Sequence, residues 1–244
     1  MKENILHNLE IINNRIKTTC EKSERNVDDV KLLLATKTVS AERIKIALEN
    51  GHTLIAENKV QELREKHDDL KSIPHQNHFI GHLQTNKIKD ILNCDVSCLQ
   101  SLDRFELAMK LHQKLFAEGK TMDVLIQVNT SDEESKFGIL PDSAIDLVEK
   151  VSKFHTLKIK GLMTIGLFSA ETEKVRTCFK ILKNLQQKII QQKIPNVEMK
   201  ELSMGMSSDL ETAIEEGATI VRVGTAIFGA RIYPDSYYWD ENKK

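Results

Sequence analysis

The stretch Lys31-Leu32-Leu33-Leu34-Ala35-Thr36-Lys37 decides how the rest of the chain is read. Its apolar residues follow one another without alternation, which suits a strand buried on both faces, as in a parallel sheet. A helix is expected directly after it. Ser40 stands at a capping position, Ile44, Ala47 and Leu48 repeat at helical spacing, and Asn50-Gly51 stops the pattern. Lys37 is thereby expected at the carboxyl end of a buried strand, where α/β folds carry their chemistry. An ammonium partly withdrawn from water gives up its proton more readily, and the free amine attacks carbonyls. The plainer alternative is a lysine that only extends from the sheet end into solvent.

Outward from this unit the same rhythm repeats. Ile5, Leu9, Ile12 and Ile16 share one face of a helix that precedes the first strand. Further strands are expected at 53–58, 77–82, 95–100 (the weakest), 122–128, 158–166, 201–206 and 219–223. Helices are expected at 59–70, from a cap at Asn86 to Leu92, around Leu107–Phe116, from Pro141 to Val151 and around Val175–Ile189. A last one opens on a capping box at Ser208–Glu211 and closes at Gly217. Eight strand–helix alternations predict a (β/α)₈ TIM barrel with an extra N-terminal helix, in one domain over residues 1–244. A doubly wound open sheet is the alternative.

Composition narrows the function classes. With 35 basic and 36 acidic residues in 244, net charge is −1, which provides no electrostatic footprint for nucleic acid or a membrane surface. Cys20, Cys94, Cys98 and Cys178 lack the paired spacing of a zinc site and read as reduced thiols. No apolar run reaches membrane-spanning length and the start has no signal-peptide core, so a cytoplasmic protein is expected, as a monomer.

On a barrel the strand ends converge, which nominates a site. Lys37 follows strand one, Asn58 strand two and His82 strand three. Ser207 and Ser208 follow strand seven, and Gly224-Thr225 strand eight. Loops after the last two strands of such barrels commonly bind phosphate through backbone N–H groups. Met204-Gly205-Met206-Ser207-Ser208 and Val223-Gly224-Thr225-Ala226 have the parts, a glycine and a hydroxyl donor, although the same residues also make simple turns. Together with a strand-end lysine they suggest a ligand that bears both an aldehyde and a phosphate.

The ordered set of segments resembles the pyridoxal-phosphate homeostasis proteins, single-domain relatives of the alanine racemase barrel. The resemblance runs through Lys31–Thr38, Glu57–Glu62, His78–Lys87, Gln127–Asn129, Lys136–Gly138, Gly161–Ile165, Leu202–Ser207 and Val221–Gly229. It implies pyridoxal 5′-phosphate (PLP) held as an internal aldimine on Lys37 and phosphate near Ser207, Gly224 and Thr225. It also implies Arg222 facing the pyridine nitrogen and Asn58 lining the ring pocket. Two positions depart from the family pattern: Ala56 replaces a usual glycine and Asn77 a usual aromatic. Arg222 lies in an apolar run, so a buried structural ion pair is its alternative. His82 is expected to be a hydrogen-bonded strand-end residue rather than a catalyst. Lys136 is read as a mobile loop lysine at the mouth or a solvated charge, and Met204 and Met206 as core fillers.

Arginine only donates, so a pyridine nitrogen facing Arg222 stays unprotonated and the ring is a weak electron sink. Racemases of this fold, by the same resemblance, add a tyrosine from a second domain. Here only sixteen residues follow Phe228, and Tyr233, Tyr237 and Tyr238 all lie among them. The expectation is a protein that stores or delivers PLP to apo PLP-dependent enzymes, with little or no turnover. A weak amino-acid racemase and an aldolase-type Schiff-base enzyme are the alternatives.

Overall fold

The structure, a computed structural model, describes residues 2–131, 133, 136–167 and 169–229. The three tyrosines lie outside these residues, so their expected place is not described. The chain opens with helix α1 (Lys2–Lys22) and then alternates: β1 (Lys31–Ala35), α2 (Ala41–Leu48), β2 (Leu54–Glu57), α3 (Val60–Leu70), β3 (Gln76–Phe79), α4 (Ile88–Asn93), β4 (Val96–Leu102) and α5 (Phe105–Ala117). The second half continues with β5 (Met122–Gln127), α6 (Pro141–Val151), β6 (Leu157–Met163), α7 (Thr172–Gln192), β7 (Val197–Ser203), α8 (Leu210–Glu215), β8 (Ile220–Val223) and the short α9 (Thr225–Phe228). The strands are parallel and close in the order β1 to β8, with Leu34 opposite Val223 where the last strand meets the first. The barrel is as expected, and the open sheet is excluded.

Strand parity sorts the side chains into two cores, because successive residues point to opposite faces. Leu34, Ile55, Phe79, Leu99, Ile126, Leu162, Leu202 and Val221 face outward and pack under the helices. Leu33, Ala56, Cys98, Leu125, Met163 and Ile220 fill the barrel interior. Ala56, the family departure, therefore adds its methyl to this interior layer, one step below Asn58. Asn77 has the opposite parity to His78 and bonds the Cys94 carbonyl at 3.3 Å, on the outer side of the barrel.

Several local expectations are corrected. β4 is a full seven residues rather than a weak strand. β3 ends at Phe79 and β7 at Ser203, so Gly81-His82 and Met204–Met206 belong to loops. Asn86 lies inside a 3₁₀ turn, and Lys87 is the residue that precedes α4. The capping box does not form: Asp209 is the N-cap of α8, and its carboxylate accepts from Met206 N at 2.5 Å instead.

Helix α1 covers the β8 side of the barrel. Ile5, Leu9, Ile12 and Ile16 are buried, each contributing on the order of 1.5–3 kcal/mol of transfer free energy. Its polar residues reach the loops of the last two strands. Arg15 forms a two-pronged pair with Glu211 at 2.6 and 2.9 Å and bonds the Ser207 carbonyl at 3.0 Å. Asn8 bonds the Ile227 carbonyl at 3.0 Å.

Candidate functional site

The site builds up at the carboxyl ends of β7, β8, β1 and β2, four neighbouring strands. By parity Leu33 and Ala35 face the interior from β1, as do Ala56 from β2 and Ile220 and Arg222 from β8; Lys37, Asn58 and Gly224 follow closely after the ends of these strands. Lys37 is half-buried and lies two residues past the end of β1, in a turn.

That turn is held by buried charge. Thr36 Oγ1 is 2.6 Å from Glu57 Oε1 and 3.0 Å from the Ala56 carbonyl. Lys66 Nζ, from α3, donates to the Thr36 carbonyl at 2.9 Å, to Glu57 Oε1 at 2.8 Å and to Glu62 Oε2 at 2.8 Å. Glu62 Oε2 also accepts the Thr38 N–H at 2.5 Å. Thr38 has φ 64°, a left-handed conformation that β-branched residues rarely adopt. Burial pushes the Glu57 carboxyl up to about 7, with Lys66 pulling the other way.

Asn58 carries an unsatisfied group: its Oδ1 is buried and has no hydrogen-bond partner among the described residues. Such an orphan acceptor is costly in isolation and marks a place where a donor belongs.

Arg222 is buried at 5% exposure, and its bonds all go to neutral groups. Nη1 donates to Ser203 Oγ at 2.7 Å and Nη2 to the Thr164 carbonyl at 2.8 Å. No carboxylate pairs with it among the described residues, so the alternative of a structural ion pair is not what is observed. Burial pushes its pKa down to about 10, opposed by Asp209 at longer range, and it remains a cation at neutral pH. Because a guanidinium only donates, the direction of the next bonds is fixed. Ser203 Oγ donates to Gln100 Oε1 at 2.7 Å, and Gln100 Nε2 lies 2.8 Å from His78 Nδ1. Burial, with Lys31 adding to it, pushes the His78 imidazole down to about 4, so at neutral pH Nδ1 is free to accept that bond. A polar seam thus crosses the barrel interior from β8 through β7 and β4 to β3.

The β7 and β8 loops are shaped by close backbone packing. Gly205 has φ +89°, and a Cβ there would sit 2.4 Å from Ala213 Cβ. A Cβ at Gly224 would sit 2.8 Å from the Ala35 carbonyl, so the end of β8 can approach β1 only as glycine. Ser207 is half-buried and Thr225 exposed, both at the mouth. The first bonds of α9 run from Ile227 and Phe228 N–H to the Gly224 carbonyl at 3.0 and 2.9 Å. The N–H groups of Thr225 and Ala226, at the opening of this turn, have no intrahelical acceptor.

The remaining candidates sit around the same mouth but are occupied differently. His82 stacks on Phe137 at 4.0 Å, and its Nδ1 is buried without a hydrogen bond, 3.8 Å from Asp103 Oδ2. The expected strand-end hydrogen bond at that nitrogen is therefore not made. Lys136 pairs with Glu133 and donates to the Gly166 carbonyl at 2.8 Å, so it is neither unattached nor a simple solvated charge. Met204 is fully buried, and Met206 only half so. Glu57, Glu62, Lys66, Ser203, Gln100, His78 and Arg15 were not singled out by sequence reasoning.

Comparison with known proteins identifies the family. The alanine racemase N-terminal domain model matches residues 3–232. A pyridoxal phosphate homeostasis protein of Aquifex aeolicus is 42% identical over 219 residues, 90% of this chain and 95% of that one. The structure of PipY from Synechococcus elongatus PCC7942, described with PLP bound, superposes with a TM-score of 0.78 at 29% identity, over 89% of this chain and all of that one. Alanine racemase of Clostridium difficile 630 shares the fold, with a TM-score of 0.71 at 15% identity; it is matched over 96% of this chain but 58% of its own length. The chain therefore belongs to the alanine racemase N-terminal domain family and, within it, to the pyridoxal phosphate homeostasis proteins.

Proposed function

We propose that this protein binds PLP through Lys37, Asn58, Ser207, Arg222, Gly224 and Thr225 and acts as a carrier of the cofactor, with no amino-acid turnover of its own. The single observation that carries the reading is the set of complementary groups on adjacent strand ends. Lys37 is a half-buried amine just past the end of β1, Asn58 Oδ1 is an orphan acceptor, and Arg222 is a buried cation with neutral partners only. These fit a ligand with an aldehyde, a ring hydroxyl and a ring nitrogen that accepts. Ser207, Thr225 and the N–H groups after Gly224 supply donors of the kind a phosphate requires.

When bound, PLP supplies an aldehyde that primary amines join reversibly and a pyridine ring that can draw electrons. The chain's own residues determine how much of that chemistry is available. Lys37 would be the residue that holds the aldehyde end of the cofactor. Arg222 would hold the ring nitrogen as a donor that keeps its own proton, which would leave the ring a poor electron sink. Ser203 and the Thr164 carbonyl fix the guanidinium in its plane. Glu57, Glu62 and Lys66 bond one another and the Lys37 turn, so they are not placed to move a substrate proton. The reading takes residues 1–244 as one domain working as a monomer in the cytoplasm, with apo PLP-dependent enzymes as recipients. In keeping with this, no helix among the described residues is long and apolar enough to cross a membrane.

The test is chemical trapping. Borohydride reduction of the PLP-loaded protein is expected to place a stable adduct on Lys37, absent in Lys37→Ala, and PLP should pass to an added apo-enzyme. Peptide mass spectra with the adduct mainly on Lys136 would overturn the assignment. Racemisation of L-alanine on the order of 1 s⁻¹ or faster, read by chiral chromatography, would replace the carrier with an enzyme.

A further inference from the structure

We propose that Lys66 and Glu62 of α3, with Glu57 of β2, form a clamp that positions Lys37 for capture of the aldehyde. The inference rests on the PLP reading above, since it concerns how that amine is presented.

Parity places Thr36 and Glu57 on the outer face of the barrel, immediately before Lys37 and Asn58 respectively in the chain. One step down each strand the equivalent outward positions are Leu34 and Ile55, both fully buried and apolar. Stability alone would favour another apolar pair here, because a buried carboxylate costs more to desolvate than an aliphatic side chain. Instead Glu57 is 3% exposed, with one oxygen bonded and the other buried without a partner.

What the cluster holds is the backbone around Lys37. An ammonium has three protons to donate, and Lys66 has three acceptors: the Thr36 carbonyl, Glu57 and Glu62. The first is the residue before Lys37. Glu62 in turn accepts the N–H of Thr38, the residue after it. One ammonium therefore fixes both flanks of Lys37, one directly and one through a carboxylate. Thr38 needs such support, because its left-handed φ of 64° is a conformation that its branched side chain resists. The side chain of Lys66 is 12% exposed and that of Glu62 18%, so water screens the Lys66 bonds little, while the Thr38 N–H bond lies at the exposed edge of the cluster. None of these residues faces the barrel interior, which makes them positioning residues and not ligand contacts.

Separating positioning from general damage requires a ligand that uses the rest of the site but not the amine. Pyridoxine 5′-phosphate, with an alcohol in place of the aldehyde, is that probe. Glu62→Gln keeps the volume and weakens the hold on Thr38; Lys66→Met removes the ammonium. Both variants are expected to lower PLP affinity and the borohydride-trapped fraction on Lys37 by about tenfold, while pyridoxine 5′-phosphate binding stays within about twofold. Lys66→Arg should recover part of the trapping, since a guanidinium can still donate to several acceptors. If Lys66→Met fails to fold, Glu62→Gln alone decides. Equal losses for the two ligands, or unchanged trapping in Glu62→Gln, would overturn the clamp while the PLP reading stands. Wild-type protein that traps no PLP on Lys37 would overturn the parent reading, and the clamp with it.

Discussion

The β1–β2 rim and the β7–β8 rim of the barrel are built in opposite ways. At β1–β2 the turn that carries Lys37 is held by side-chain charge: Lys66, Glu57 and Glu62 meet behind it. At β7–β8 the loops are held by backbone shape. Glycines at 205 and 224 allow close approach, and the Gly205 carbonyl accepts Arg222 N–H at 3.0 Å. Charge plays a smaller part there: Arg15 reaches the Ser207 carbonyl from outside, and the Asp209 carboxylate accepts the Met206 N–H at 2.5 Å. The difference fits what the proposed function asks of each rim. A phosphate is recognised well by fixed N–H groups and hydroxyls, which need no adjustable charge. An amine that must join and leave a carbonyl needs a defined direction and a controlled field, which charged groups in a dry setting supply.

If the contrast is right, the phosphate side should depend on donors. Ser207→Ala with Thr225→Val removes two hydroxyl donors, each worth roughly 1.5–3 kcal/mol toward a charged acceptor. PLP affinity should fall at least about a hundredfold, and pyridoxal, which lacks the phosphate, should lose much less. Calorimetric titration with the two ligands gives the comparison, and equal losses would place the phosphate elsewhere.

Shape can be attacked directly at Gly205. An alanine there meets both the +89° φ and the Ala213 Cβ, so Gly205→Ala should cost about 2–3 kcal/mol of stability. A urea unfolding midpoint that does not move would show that the loop adjusts freely. The β1–β2 rim, by contrast, should respond to pH. The Glu57 pKa is raised in the fold, to about 7 from an ordinary 4.5. Its protonated form is therefore favoured by folding; that stabilisation is full below about 4.5 and is lost as pH rises through about 7. Glu57→Gln, which stays neutral, should gain stability relative to the wild type over this window, by on the order of 2 kcal/mol once the shared charge with Lys66 is allowed for. A difference that stays flat between pH 4.5 and pH 8 would remove the titrating charge from this rim. His78 titrates across a neighbouring window with the opposite sign. Its pKa is depressed to about 4, so its contribution is lost as pH falls, and the variant must be read as a difference from the wild type.

The two rims also differ in how visible they are in the sequence. Apolar runs such as Leu32–Ala35 and the face of α1 carry their period locally, and the barrel follows from counting them. The glycines and hydroxyls of the β7–β8 loops lie within a few residues of one another and could be read together. Lys66 could not be: it lies in a helix dense with charge, where solvation is the ordinary reading, and its role exists only because α3 lies against the turn after β1. The interior seam was hidden more deeply. Its bonds join Gln100 to His78, Ser203 to Gln100 and Arg222 to Ser203, across 22, 103 and 19 positions of chain. Barrel closure creates these neighbours, and no local pattern announces them. The expected capping box at Ser208 failed for a related reason: Asp209 already serves the Met206 amide, which the turn after Gly205 presents to it.

Helix α1 has a consequence in time. Its contacts with Glu211 and Ile227 join residues 196 and 219 positions apart, so the first helix to be synthesised waits for nearly the last. Until then the apolar face of α1 has α2 to pack against but neither α8 nor α9, and β1 lacks its β8 neighbour. Loop closure over such distances is slow and leaves apolar surface open to other chains meanwhile. A growing chain therefore holds Lys37 long before the strand ends around it are assembled, and the proposed capacity to retain PLP arrives only with the final closure of the ring.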